Sequence, residues 1–304
     1  MNWKDFLAAS IKKCIFVLGP TGSGKSSWAL LQAEKHGGSI VNIDSVQFYE
    51  GLIVGAAAPT ASEKSRVPHY LYSYVKPPKE MTAGGYLKDF YALLESPVRF
   101  PLFIVGGTGF YIQALERGMY DVEKVPPEFR KKIEDELEQL GAEVLHQELL
   151  AKDPASRIHV NDHFRLVRAL EIIRFTGKIP SELQAQPQNN KYEFPFPLLK
   201  VGFDFSKPEF EKRISLRTRN MIENGIIDEV QSARKAGLME WAPLKSVGYR
   251  ETVQYLAEGQ SLDWLQDAIF KSTMQLIKKQ KTWFKRDRSV LWSNQTEQLD
   301  QFLT

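Results

Sequence analysis

Residues 16–27 read FVLGPTGSGKSS, an apolar run that breaks into a glycine-rich loop. Gly19, Pro20, Thr21, Gly22, Ser23, Gly24, Lys25 and Ser26 fit the pattern G-x-x-x-x-G-K-[ST]. Glycines let successive backbone N–H groups turn inward on an anion, Lys25 adds a positive charge, and the Ser26 hydroxyl can ligate Mg²⁺. The helical pattern that follows, SSWALLQAEKH, aims its positive end at the same point. An apolar strand before the loop and a helix after it distinguish a phosphate site from a stray glycine turn.

Two further apolar runs in the first third end in special residues. SIVNID stops at Asp44, and PLFIVGG stops at Gly106, Gly107, Thr108 and Gly109. Short apolar runs separated by helix-length segments read as parallel strands. LLKVGFDF and SVLWS are strand candidates late in the chain. The predicted class is therefore α/β, a P-loop NTPase-like parallel sheet flanked by helices, with ligands beyond the carboxyl ends of the strands.

From Pro126 the pattern changes to helix after helix. PPEFRKKIEDELEQLG has proline in its first turn and Gly141 past its end. NDHFRLVRALEIIRFTG has Asn161 or Asp162 as cap and Gly177 as stop. SELQAQPQNNKYEFPFP reads as a polar, proline-rich connection back to the sheet. We expect a discontinuous core, residues 1–119 and 198–304, interrupted by a helical insertion domain at 120–197.

The 304 residues, 43% hydrophobic and 25% charged, suit a globular protein with a sizeable core. One cysteine, Cys14, excludes an internal disulfide framework and fits a reducing compartment. No apolar run approaches the roughly 18 residues of a membrane span, and the amino terminus lacks an export signal, so a cytoplasmic monomer without a membrane partner is expected.

Other residues carry chemistry only in context. Spacing alone favours a turn or cap aspartate at Asp44. Arg213 and Arg217, at i, i+4 on a helical pattern, read equally as a solvated pair or as cations closing over a diphosphate. In LDWLQDAIFKSTMQLIKKQKTWFKRDR, Leu262, Leu265, Ile269, Leu276 and Trp283 are predicted to form a core face. Lys271, Lys278 and Lys285 recur opposite, and Asp287 is the only acid between Lys271 and Arg288. Such a stripe favours a polyanion partner over a merely solvated face.

Together these residues resemble the tRNA dimethylallyltransferase (isopentenylpyrophosphate transferase) family. GPTGSGKS, DSVQFY, PHYL, VGGTGFY, NDHFRLVRALEI, VGYRE and KKQKTWF occur in family order, from about Cys14 to Arg286. The resemblance implies transfer of a dimethylallyl group from its diphosphate to the exocyclic amine of the adenine just 3′ of the anticodon. The loop would then hold the diphosphate leaving group, helped by Lys25, Arg213, Arg217 and Mg²⁺ on Ser26, with Asp44 as general base. It also implies tRNA contacts by Asp44, Ser45, Val46, Gln47, Thr108, Arg165, Arg168, Lys278 and the stretch Lys245, Ser246, Val247, Gly248, Tyr249, Arg250. Ala56, Ala58, Tyr70 and Met274 depart from the family pattern and inherit no role. The alternatives are a small-molecule kinase on the same core, a prenyltransferase for free adenine nucleotides, and an RNA-binding protein with a vestigial loop.

Overall fold

The computed structural model describes residues 12–119, 122–123, 125–185 and 194–301. Most of the amino-terminal stretch and residues 186–193 of the connection lie outside the described residues. The chain divides into two compact units, Met1–Leu115 with Phe194–Thr304, and Glu116–Glu193.

The larger unit is built on one sheet. Its strands are β1 (Cys14–Leu18), β2 (Ser39–Asn42), β3 (His69–Tyr70), β4 (Leu102–Gly106), β5 (Leu198–Phe203) and β6 (Leu291–Ser293). They lie in the order β3-β2-β4-β1-β5-β6, and every neighbouring pair is parallel. All five of the apolar runs read as strands are strands. The two-residue β3 carries no apolar periodicity and was not predicted. β1 lies between β4 and β5 with Val17 opposite Val105 and Val201, and all five of its side chains are buried. Strands covered on both faces need continuous apolar runs rather than alternation, which is why CIFVL and LFIVG are legible as central.

Helices complete the layers. In the larger unit they are α1 (Lys25–His36), α2 (Ala61–Arg66), α3 (Ala83–Leu94) and α4 (Gly109–Arg117), the last running two residues past Leu115. In the smaller unit they are α5 (Pro127–Leu140), α6 (Ala142–Lys152), α7 (His163–Thr176) and α8 (Pro180–Ala185). The larger unit resumes with α9 (Lys207–Glu223), α10 (Ile226–Lys235), α11 (Tyr249–Glu258), α12 (Leu262–Phe284) and α13 (Thr296–Asp300). Trp28 of α1, Phe103 of β4, Phe203 of β5 and Ile214 of α9 meet in one buried core. Among the described residues no helix is long and apolar enough to cross a membrane.

The smaller unit has its own core, in which Leu166, Ala169, Leu170 and Ile173 of α7 pack with Ile133, Leu145 and Leu149. Asp162 caps α7 by accepting the Arg165 N–H, and Gly177 ends it in the left-handed conformation.

Two readings need correction. The first residues of the expected connection, Ser181 to Ala185, are helical. Asp153 holds their start by accepting the Ser181 N–H at 3.1 Å and its hydroxyl at 2.6 Å, while Leu183 is buried. The core face of α12 is Leu265, Ile269, Thr273, Ile277 and Phe284. Leu262, the first residue of the helix, is 54% exposed, and Leu276 and Trp283 are half-buried flanks.

Candidate active site

The loop after β1 turns through left-handed glycines, with Gly24 at φ 84° forming the N-cap of α1. A side chain there would be strained. The loop rests on α9: a Cβ on Gly22 would lie 2.5 Å from Ile214, and one on Gly24 would lie 3.6 Å from an Arg213 Nη1. Arg213 is held by stacking over the Phe205 ring, 4.1 Å from its centroid. Arg217, one turn further along α9, is half-buried, and desolvation lowers its pKa against the pull of the Asp44 carboxylate.

Lys25 is 9% exposed and donates a hydrogen bond to the Pro20 carbonyl at 3.3 Å. Burial brings its pKa down to about 8, with Asp44 opposing the shift and Arg217 adding to it. Lys25, Arg217 and Asp44 therefore lie within electrostatic reach of one another, with Arg213 beside the loop. Among the described residues Ser23 Oγ, which is buried, has no hydrogen-bond partner. A buried orphan hydroxyl in a phosphate loop is a group poised for a ligand oxygen. Ser26 lies exposed in the first turn of α1.

The other two loops pair with each other. Asp44 follows β2 by two residues, and its Oδ1 accepts the Val46 N–H at 3.1 Å. Thr108 Oγ1 accepts the Ser45 N–H at 3.0 Å and donates to Ser45 Oγ at 3.2 Å. Gln47 Nε2 donates to the carbonyls of Ala56 and Ala57 at 3.0 and 2.8 Å. Sequence reasoning missed Gln280 of α12. Its Oε1 accepts the Thr21 N–H at 2.9 Å and its Nε2 donates to the Gly107 carbonyl at 3.1 Å, joining the phosphate loop to the loop after β4. Gly107 has no room for a side chain, since a Cβ would lie 2.6 Å from Gln280 Nε2. The glycines of GGTG signal such a close approach but not the residue making it.

In the stretch 245–250, Lys245 and Arg250 are exposed, Ser246 and Val247 are half-buried, and Gly248 and Tyr249 are buried. The Tyr249 hydroxyl donates to Glu229 Oε2 at 2.8 Å and accepts the Ala56 N–H at 3.1 Å. Glu229 also accepts the N–H groups of Ile53, Val54 and Gly55. Lys278 is exposed on α12, whereas Lys281 turns inward to Asp204 at 2.7 Å. In the smaller unit the Arg165 side chain is 73% exposed beside Asp162, and Arg168 pairs with buried Glu171 at 3.0 Å.

Ser26, exposed at the start of α1, is the residue of the loop whose hydroxyl could ligate a metal ion shared with bound phosphates.

A family model described as IPP transferase matches residues 47–287, and one described as isopentenyl transferase matches residues 12–73. A tRNA dimethylallyltransferase of Bdellovibrio bacteriovorus is 48% identical over 282 residues, covering 91% of this chain and 92% of that protein. One of Geobacter metallireducens is 37% identical, covering 96% of each. The crystal structure of a Bacillus halodurans tRNA isopentenylpyrophosphate transferase superposes with a TM-score of 0.64 at 28% identity, covering 92% of this chain and 89% of that one. A eukaryotic dimethylallyltransferase acting on tRNA superposes with a TM-score of 0.76 at 26% identity, covering 95% of this chain and 76% of that one. With a phosphate loop on a P-loop NTPase-like parallel sheet, and with family models and relatives spanning nearly its whole length, this chain belongs to the tRNA dimethylallyltransferase (IPP transferase) family of prenyltransferases.

Proposed function

We propose that the protein transfers a dimethylallyl group from dimethylallyl diphosphate to N6 of the adenine 3′-adjacent to the tRNA anticodon, releasing diphosphate. The observation that carries this reading is one carboxylate, Asp44, within reach of Lys25 and Arg217 beside a phosphate loop. A nucleophile-activating base and a leaving-group site are thereby adjacent. The allylic C–O bond breaks as the N6–C bond forms. The negative charge that builds on the diphosphate is met by the loop amides, Lys25, Arg213 and Arg217. N6 is a poor nucleophile because its lone pair is delocalised into the ring, and Asp44 takes its proton. Mg²⁺ on Ser26, when bound, neutralises diphosphate charge.

The adenine must leave its stack to enter such a site. Ser45, Val46 and Gln47 follow Asp44 in the chain and Thr108 bonds Ser45, and we assign these four to the flipped nucleotide. The exposed members of 245–250 and Lys278 are assigned to the RNA backbone. The helical unit, with Arg165 and Arg168, is assigned to the anticodon arm. We place the reaction in the cytoplasm and take the protein to act as a monomer.

The test is mass spectrometry of adenosines in tRNA incubated with the protein and dimethylallyl diphosphate. Asp44→Asn should keep binding of both substrates and lose about 10²–10⁴ in rate. Retention of more than a tenth of the wild-type rate removes Asp44 from this role. ATP consumed stoichiometrically with product would favour the kinase reading instead.

A further inference from the structure

The last residue of β2 is polar and wholly enclosed. Asn42 is 0% exposed at the end of a strand whose other members, Ser39, Ile40 and Val41, are also buried. Its side-chain amide makes three hydrogen bonds. Oδ1 accepts the Asp44 N–H at 2.8 Å, and Nδ2 donates to the Asp44 carbonyl at 3.1 Å and to the Leu71 carbonyl at 3.0 Å. One side chain therefore fixes the backbone of Asp44 on both sides of its Cα.

We propose that Asn42 is a positioning residue that sets the Asp44 carboxylate for proton abstraction. This inference rests on Asp44 being the general base. The geometry is two side-chain turns in series: Asn42 Oδ1 accepts from Asp44, and Asp44 Oδ1 accepts from Val46. Each is an Asx turn, in which a side-chain oxygen takes the N–H two residues on. The first orients the peptide groups of Asp44 and the second orients its carboxylate. Among the described residues Asp44 Oδ2 forms no hydrogen bond, which leaves one oxygen for the substrate proton.

The third bond ties this arrangement to the neighbouring edge of the sheet. Leu71 stands at φ 61° and Ser73 at φ 49°, left-handed conformations that are strained for residues with side chains. Such residues persist where surrounding bonds over-determine them, and the Asn42 amide supplies one of those bonds at Leu71. Aspartate at 42 would keep the acceptor for the Asp44 N–H but could offer no hydrogen to the two carbonyls while ionised, and it would bury a charge. Serine at 42 could remake the turn to Asp44 through its hydroxyl.

The test uses Asn42→Ala, Asn42→Asp and Asn42→Ser, with Asn42→Ala also made on Asp44→Asn. Rates come from single turnover with enzyme in excess over anticodon stem-loop RNA and saturating dimethylallyl diphosphate, KM values from steady-state titration of each substrate, and folding is followed by urea denaturation. Asn42→Ala should lower the rate about 10–100-fold, the scale of a misplaced reacting group, while both KM values change less than about twofold. Asn42→Asp, which tests the same point should the alanine variant not fold, should be comparably slow. Asn42→Ser should recover to within about fivefold of wild type. On Asp44→Asn, Asn42→Ala should cost less than about threefold more, because groups that act as a unit are not additive. Losses that multiply in the double variant, or a serine variant as slow as alanine, overturn the positioning role. If Asp44→Asn alone keeps its rate, the base assignment falls and this inference with it. If Asp44→Asn is slowed as expected but the losses multiply, only the positioning role falls.

Discussion

Lys25 is destabilised where it stands. Burial has lowered its pKa to about 8, so at neutral pH the ligand-free protein holds a desolvated cation beside Arg217. The unfolded chain binds more protons than the folded one between about pH 8 and the ordinary lysine value, so this group's contribution to stability rises with pH across that window. Lys25→Met should therefore raise the melting temperature of the ligand-free protein near pH 7 while abolishing saturation by dimethylallyl diphosphate. A lowered melting temperature would count against it. In its proposed role the same cation must be protonated to meet the diphosphate, so kcat/KM for the prenyl substrate should fall as pH rises through about 8, with proton uptake on binding above that pH. Calorimetry in buffers of different ionisation enthalpy reads that uptake. Motif spacing was enough to name Lys25, but its lowered pKa was not legible, because the burial that causes it, and the approach of Arg217 that adds to it, arise only on folding.

At the scale of elements, α10 and α11 hold the segment 53–56, downstream of Asp44. Glu229 takes three backbone N–H groups of residues 53–55, and fully buried Tyr249 bonds both Glu229 and the Ala56 N–H. Tyr249→Phe leaves the Ala56 N–H without this partner and deprives Glu229 of one donor. It should lower stability by about 1–3 kcal/mol in urea unfolding, with the change in midpoint and not in slope. An unchanged midpoint would show that water replaces the hydroxyl without cost. VGYRE drew attention through family order alone, and nothing in its spacing reveals that the tyrosine faces inward. The lysine stripe was legible: Lys271, Lys278 and Lys285 are all exposed, Lys271 beside Asp267 one turn back at 2.6 Å. Neighbouring Lys281 instead turns in to bond Asp204 and the Phe205 carbonyl. Periodicity distinguishes faces of a helix, not which lysines find an acid from another element.

For the whole molecule, the net charge is only +3, so RNA binding must draw on clustered rather than bulk charge. Each phosphate neutralised releases counterions and contributes about −0.7 to −0.9 to the log–log slope of affinity against salt. Lys278→Glu with Lys285→Glu should flatten that slope for an anticodon stem-loop and weaken binding, leaving KM for dimethylallyl diphosphate unchanged. Arg165→Ala, in the helical unit, should weaken RNA binding separately. An unaltered slope in the double charge reversal would leave the stripe as solvated surface.

The linear chain determined by itself that a phosphate loop follows an apolar strand, that five runs are parallel strands, and that helices dominate the middle. Those features depend on local periodicity, on glycine, proline and capping residues, and on motif spacing, all written within a few residues of one another. Ordered family motifs added the substrate class. Tertiary structure alone decided that Arg213 stacks on Phe205 beside Gly24, that Gln280 joins two loops 86 residues apart in sequence, from Thr21 to Gly107, and that Asn42 grips Asp44 and a strained Leu71. Most of these contacts join segments distant in the chain, and their geometry depends on strand order, β3-β2-β4-β1-β5-β6, which no local pattern encodes. Hydrogen bonds and desolvation act over a few ångströms of space, so the electrostatics of the site exist only once the sheet has brought its loops together.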